Sequence, residues 1–287
     1  MNFTHILIHS VKHALKDGAT LLPFLFLTYL LMEFLEERMN EKMKQSLMKS
    51  EKTGPVWGAV LGMIPQCGFS AAASNLYAGR IISMGTLIAV YLSTSDEMLP
   101  IMISQAVPIG EIAKILGLKV LIGMAVGLLL DFVMHSVIKK KRNEPDIHHF
   151  CEREHCHCGN GILKPALFHT VQIWLFILVI SIALNLVTQI VGLEKLSNSV
   201  LGYPIVGVLL AGLIGLIPNC GSSVLITELY LSRVIPFGTM MAGLLVGAGV
   251  GILVLFRVNE DKKENLFIIG VLYCAGVLFG GLMNLIP

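Results

Sequence analysis

The chain has 287 residues, of which 55% are hydrophobic and only 14% charged, with a net charge of +2 and a mean hydropathy of +0.77. A soluble domain of this size carries about a quarter charged residues, so the composition excludes an ordinary soluble enzyme and points to an integral membrane protein. Charge-free runs at 56–79, 165–193, 234–256 and 265–287 match the roughly 20 apolar residues that a helix needs to span a bilayer, and no ten-residue alternating pattern suggests a barrel.

The first stretch, MNFTHILIHSVKHALKDGATLLPF, lacks the layout of a secretory signal, because polar groups interrupt it and no small-residue cleavage site follows. His5, His9 and His13 recur every fourth residue and read as one interfacial face of a helix. A spanning helix is expected over 21–35. Residues 56–79 follow as an apolar segment broken by GMIPQCGFS, then a helix over 81–94 and an irregular, proline-containing stretch over 96–110. A helix over 113–138 ends the first half. The polar linker KKKRNEPDIHHFCEREHCHCGNG leads to a helix over 164–191. The second half continues with a segment over 204–232 broken by GLIPNCGSS, then helices over 237–257 and 265–286. The domain organisation is thus a first transmembrane repeat over 1–138, a linker over 139–163 and a second repeat over 164–287.

The two broken segments are copies. Laid over one another at a constant offset of 153, Gly62 meets Gly215, Ile64 meets Ile217, Pro65 meets Pro218, Cys67 meets Cys220, Gly68 meets Gly221 and Ser70 meets Ser223. The match runs on through Leu76/Leu229, Tyr77/Tyr230, Arg80/Arg233, Gly85/Gly238, Thr86/Thr239, Ala89/Ala242 and Leu92/Leu245. Shared hydrophobicity does not reproduce Pro, Cys, Tyr and Arg in register, so the chain reads as an internal duplication.

Basic residues set the orientation. Arg38, Lys42, Lys44, Lys49 and Lys52 fill one loop, Lys139, Lys140, Lys141 and Arg142 the linker, and Arg257, Lys262 and Lys263 the last loop. Placing these in the cytosol inverts the two repeats and puts both termini outside. The expected fold is an all-α membrane protein of two inverted-topology repeats, with broken or re-entrant GxIPxCG segments and 8–10 membrane segments in all.

Proline and glycine free backbone groups that hydrocarbon tolerates only inside protein or along a cavity. Paired breaks at corresponding positions are the sequence pointer to a transporter's binding site. The candidate substrate-binding residues are therefore Gln66, Cys67, Asn219 and Cys220 at the breaks, with Ser70 and Ser223 beside them as ligands or helix N-caps. Asn75 and its repeat partner Glu228 belong to the same set. Glu228 lies deep in an apolar run, and Asp96 and Glu97 interrupt another, so each is a candidate to neutralise a cation or relay protons. Glu33 and Asp131 sit nearer segment ends and read as interfacial. Arg80 and Arg233 read as snorkelling anchors, with ion-pair or substrate roles open. In the linker, His148, His149, Cys151, His155, Cys156, His157 and Cys158 crowd eleven residues. This is a transition-metal tract without zinc-finger spacing, expected to collect or sense metal in the cytosol. No cofactor is required, although a divalent ion in the linker or as substrate is consistent with these groups. The expected partners are the bilayer, a metal ion or metalloid, a coupling proton and a second copy of the chain, with no nucleic acid.

With GxIPxCG, LPFLFLTYLLME, TELYLS, GLLVGAGVGILVLFRVN and EHCHC in hand, the chain resembles the ten-transmembrane heavy-metal exporter family, also called the second ArsP-type permease family. Some members of that family are labelled manganese transporters or arsenic efflux proteins. The resemblance implies a multi-pass protein of a prokaryotic inner membrane that exports a metal or metalloid. The expected function is secondary-active export of a manganese-like divalent metal or a metalloid, by alternating access around a midplane site, and not enzymatic. An alternative is a permease for an anion or small organic solute, held by half-helix N-termini with Arg80 and Arg233. A membrane enzyme using Cys67 or Cys220 as nucleophile is disfavoured, because neither has a histidine nearby in sequence.

Overall fold

The structure is a computed structural model that describes residues 53–64, 67–95, 98–136, 163–191 and 204–285, together with isolated positions between 15 and 34. The described residues form helices and no strands. Those of the first half are α1 (Gly54–Gly62), α2 (Cys67–Ala78), α3 (Met84–Ser93), α4 (Met98–Ser104) and α5 (Ile109–Ser136). After α6 (Leu163–Val191) come α7 (Pro204–Gly215), α8 (Cys220–Leu231), α9 (Phe237–Val246), α10 (Gly251–Val258) and α11 (Lys262–Leu285).

Local chemistry explains the boundaries. Pro55 opens α1, where its missing N–H is no loss. The Ser83 hydroxyl accepts the Thr86 N–H and caps α3. The Asp261 carboxylate accepts the N–H groups of Lys263 and Glu264 at the start of α11. Both α2 and α8 end in a Schellman motif. The Arg80 N–H bonds the Tyr77 carbonyl and the Ile81 N–H the Leu76 carbonyl; Arg233 with Tyr230 and Val234 with Leu229 repeat this 153 residues on. Each motif places its arginine at positive φ, 58° for Arg80 and 59° for Arg233, a conformation that glycine adopts far more readily.

The duplication read from the sequence extends to the helices. Gly62, Cys67, Met84, Met98 and Ile109 mark ends or starts whose counterparts at offset 153 are Gly215, Cys220, Phe237, Gly251 and Lys262. Packing repeats too. Gly85 of α3 lies against the Gly127 carbonyl and Asp131 of α5, while Gly238 of α9 lies against the Gly280 carbonyl and Asn284 of α11. Ala89 packs on Gly123 and Gly127, and Ala242 on Gly276 and Gly280. These small residues let helix backbones approach closely where a bilayer offers no hydrophobic drive for association.

Two sequence expectations are corrected. The segment 237–257 is not one helix: it breaks at 247–250 into α9 and α10, with Gly249 at φ 54°. The stretch 96–110 is not irregular throughout, since it holds α4 and the first residues of α5. A third non-glycine residue at positive φ, Ala106, ends α4 just before Pro108. These differences are one feature in two copies, because the 94–97 interval and 247–250 correspond at offset 153. Each half therefore carries a second helix break in addition to GxIPxCG.

The core sits between the halves. Every residue of α3 is buried, as is all of α9 beyond its first residue, which fits helices that are apolar all round. α3 packs between α1 and α5 and touches α9, which packs between α7 and α11. Two further contacts cross between the halves: α2 packs on α10, and α8 on α4. Leu25 and Tyr29, with Ala166, Ile173 and Ile177 of α6, cover Ala71 of α2 and Val250, Val254 and Val258 at α10. Outward faces of α5 and α11 expose Leu121, Leu129, Phe132, Leu266 and Leu278, the apolar surface of lipid-facing spans. Among the described residues, Met84–Ser104, Ile109–Ser136, Phe237–Val258 and Lys262–Leu285 are long and apolar enough to cross a membrane. The protein is an all-α, multi-pass membrane protein.

Candidate functional site

Three chain breaks meet at one small cavity. The second-half GxIPxCG break ends at Asn219, whose side-chain oxygen accepts the Gly221 N–H at 3.2 Å and so caps α8. The Ser222 hydroxyl donates back to the carbonyl of Asn219 at 2.8 Å. Across from this turn lie Thr94 and Ser95, where α3 stops, and Gly247 and Gly249, where α9 gives way to α10. Together with Met98, Ser223 and Leu244, these residues enclose a small cavity of about 10 Å³, room for about one water. Its walls combine the hydroxyls of Thr94, Ser95, Ser222 and Ser223 and the Asn219 amide with the side chains of Met98 and Leu244 and glycine backbone, contributed by both halves. Thr94 and Ser95 are themselves tied down, to the carbonyls of Val90 and Met63.

Lys119 brings a buried charge to Leu244 behind this wall. It lies in the middle of α5, is 1% exposed, and its ammonium donates to the Leu244 carbonyl in the last turn of α9. The sequence reading passed over it as part of an apolar helix; a single lysine flanked by Leu116, Leu118, Val120 and Leu121 was the available signal.

A second polar cluster lies where α2 meets α10. The Ser74 hydroxyl contacts the Ser70 carbonyl, the Gly251 carbonyl and the Tyr91 hydroxyl at 2.7–2.8 Å, and Tyr91 also donates to Gly251. Gly251 is pressed against Ser70, which leaves no room for a larger residue. Asn75, fully buried, accepts from Tyr29 at 3.2 Å, while its amide nitrogen has no hydrogen-bond partner among the described residues.

The predicted residues thus separate. Asn219 and Ser223 line the cavity. Ser70 and Asn75 lie buried behind it in the α2–α10 cluster. The cap of α8 is Asn219 rather than Ser223, which sits inside the helix. Glu228 is exposed on α8 and is not among the cavity-lining residues. Cys67 and Cys220 open α2 and α8. Gln66, Asp96, Glu97 and the linker residues His148, His149, Cys151, His155, Cys156, His157 and Cys158 lie outside the described residues. Among the described residues no group of three or more histidine, cysteine or acidic side chains forms a metal cluster. Asp131, expected at an interface, accepts the Gly85 N–H at 2.8 Å and the Ser83 hydroxyl at 2.6 Å at the start of α3.

Away from the cavity, two contacts related by the repeat tie one half to the other. In the first, Arg80 of α2 pairs with the buried Glu264 of α11 at 3.1 Å, with Asn259 donating to the same carboxylate at 3.3 Å and Arg80 over the Tyr77 ring. In the second, Tyr230 of α8 donates to Glu111 of α5 at 2.8 Å. Tyr77/Tyr230, Arg80/Arg233 and Glu111/Glu264 are all pairs at offset 153. The contacts differ in one respect: Arg233 is exposed and makes no ion pair among the described residues. Among the described residues, only the Arg80 member of this repeat-related pair has an ion pair.

Comparison with known proteins agrees with this architecture. A family described as "Putative, 10TM heavy-metal exporter" matches residues 2–202, which span the first half, the linker and α6. No curated protein matches, and no solved structure does. Interrupted apolar helices around a small polar cavity, long lipid-facing spans and this match over most of the chain lead to one assignment: the protein belongs to the ten-transmembrane heavy-metal exporter family.

Proposed function

We propose that the protein is a secondary-active exporter of a divalent, manganese-like metal or a metalloid, working by alternating access around the central cavity. The observation that carries this reading is the cavity itself. Two membrane-length helices are interrupted where they meet, and the freed backbone and hydroxyl oxygens of Thr94, Ser95, Asn219, Ser222 and Ser223 face one volume. Irregular backbone at membrane depth is tolerated where it lines such a cavity, and the oxygen donors among its walls suit hard cations such as manganese.

Inversion of the repeats is supported by the swapped packing of α2 on α10 and α8 on α4, together with the basic loops. The one-sided clamps then act as opposed gates: Arg80–Glu264 closes one side in the conformer described, and Arg233–Glu111 closes the other after the switch. Cytosolic metal would be collected by the His148–Cys158 tract. The anion-permease reading draws on the N-terminus of α8 beside the cavity, together with Arg80 and Arg233.

Retained manganese, zinc and arsenic in cells expressing wild type and Thr94→Val/Ser223→Ala separate the two. Lower retention of one metal, reversed by the double substitution, is expected. No effect on any metal, together with altered uptake of an anion such as phosphate, would replace the exporter reading with the alternative.

A further inference from the structure

α5 packs on α3 and α11 on α9, and between α5 and α11 runs an apolar groove of about 660 Å³, within the roughly 300–1,000 Å³ range of ligand-binding clefts. Val126, Leu129 and Val133 line one side, and Phe267, Cys274 and Leu278 the other. Leu129, Phe267, Cys274 and Leu278 are exposed. Each half of the protein supplies one wall.

The groove has a direction. Arg80 pairs with Glu264 at the start of α11, and nearby Ser83 bonds Asp131 towards the end of α5. The end of α5 and the start of α11 therefore lie at the same end of the molecule, and the two helices run antiparallel. At its inner limit the groove is lined by Ala125 and Leu278, and by Val126 and Phe279, which are partners at offset 153. Repeat partners come together at the middle of an antiparallel pair, so the groove runs from the middle to one face. The dozen residues from Phe267 to Phe279 rise about 18 Å, against about 15 Å for one leaflet of a roughly 30 Å hydrocarbon core.

Charge marks the outer end. Lys263 stands one turn before Phe267 on the stripe that continues through Gly270, Cys274 and Leu278, with Lys262 beside it and both exposed. The neighbouring Asp261 carboxylate accepts the N–H groups of Lys263 and Glu264. The repeat supplies a comparison: the positions of Lys262 and Lys263 are held in the first half by Ile109 and Gly110, and Lys114 of that end lies over the Phe237 ring. The paired lysines thus belong to one membrane face, the one that the basic loops place in the cytosol.

We propose that this groove is a binding site for an anionic phospholipid, with one acyl chain along it and the headgroup phosphate against Lys262 and Lys263. The lysine stems follow the apolar wall while their ammonium groups reach headgroup level, where each adds affinity for an anionic lipid. The bound lipid fills the seam between the two repeats.

The test uses full-length protein in phosphatidylcholine nanodiscs containing graded phosphatidylglycerol, with retained lipids identified by native mass spectrometry. Wild type is expected to retain phosphatidylglycerol over phosphatidylcholine by about tenfold or more. Lys262→Gln/Lys263→Gln should abolish the preference and still hold a lipid. Gly270 lines the groove, and a side chain there meets nothing within 4 Å, so Gly270→Leu should displace both lipids while melting as wild type does. Gly117→Leu, equally unobstructed and outside the groove, should bind as wild type does. Phosphatidylglycerol should also slow alkylation of Cys274 by a membrane-permeant maleimide, in wild type and not in the lysine variant. Equal retention of the two lipids, unchanged retention in Gly270→Leu, or an unchanged Cys274 rate overturns the assignment. A crosslink between Cys274 of two copies in the membrane does so as well, since it gives the groove to a second chain.

Discussion

Arg80 and Arg233 occupy the same left-handed position at the ends of twin helices, yet they are held differently. A non-glycine residue at positive φ costs roughly 1–2 kcal/mol, and only Arg80 has an ion pair to offset it. Arg233→Gly is therefore expected to raise thermal stability in detergent, by up to about 1 kcal/mol, while slowing flux if Arg233 serves as the second gate. Arg80→Gly should lower stability by about 1–2 kcal/mol, because Glu264, buried and still accepting from Asn259, loses its countercharge. Paired melting and flux measurements on the two variants check both. Equal shifts for the two would mean that the ion pair contributes nothing.

Close helix crossings depend on glycine in matched pairs. A methyl group at Gly85 would meet the Gly127 carbonyl, and one at Gly238 the Gly280 carbonyl. Gly85→Ala and Gly238→Ala should each destabilise by about 1–3 kcal/mol, whereas Gly117→Ala and Gly270→Ala, with open space around them, should be neutral or up to about 1 kcal/mol stabilising; thermal unfolding in one detergent compares all four. How far elements could be read from the sequence depended on the kind of break. Pro65 and Pro218 announced the GxIPxCG interruptions, because proline cannot continue a helix without cost. The break at 247–250 escaped notice because VGAGVG carries no proline and is apolar enough to pass for a span. Its counterpart, TSDE at 94–97, is polar and reads as the start of an irregular stretch that runs to 110, which hides α4. The cavity lies at those overlooked breaks, so the sequence pointed to Asn219 and Ser223 and not to Thr94, Ser95 or Lys119. Aligning the second half on the first beyond Leu92 pairs Gly123 with Gly276 and Gly127 with Gly280, a signal already present in the chain.

Across the whole molecule, alternating access requires the two clamps to exclude one another. Cysteines at 80 and 264, joined by a short bifunctional thiol reagent, should trap the conformer described, and cysteines at 111 and 233 its opposite. Each crosslink is expected to cut flux about tenfold or more, with recovery on reduction. Free flux through either trapped form would rule out these contacts as gates. The crossed packing of α2 on α10, α8 on α4 and α3 against α9 has a further consequence. Each half buries one face of α2, α4, α8 or α10 only against the other, so neither is a complete protein by itself. A gene cut within the linker should therefore give two polypeptides that transport when made together and are degraded when made singly. By the same logic, a forebear with one repeat would have worked as a pair of identical chains; fusion through the linker would have made that pairing permanent and let Lys119 and Leu272 part ways.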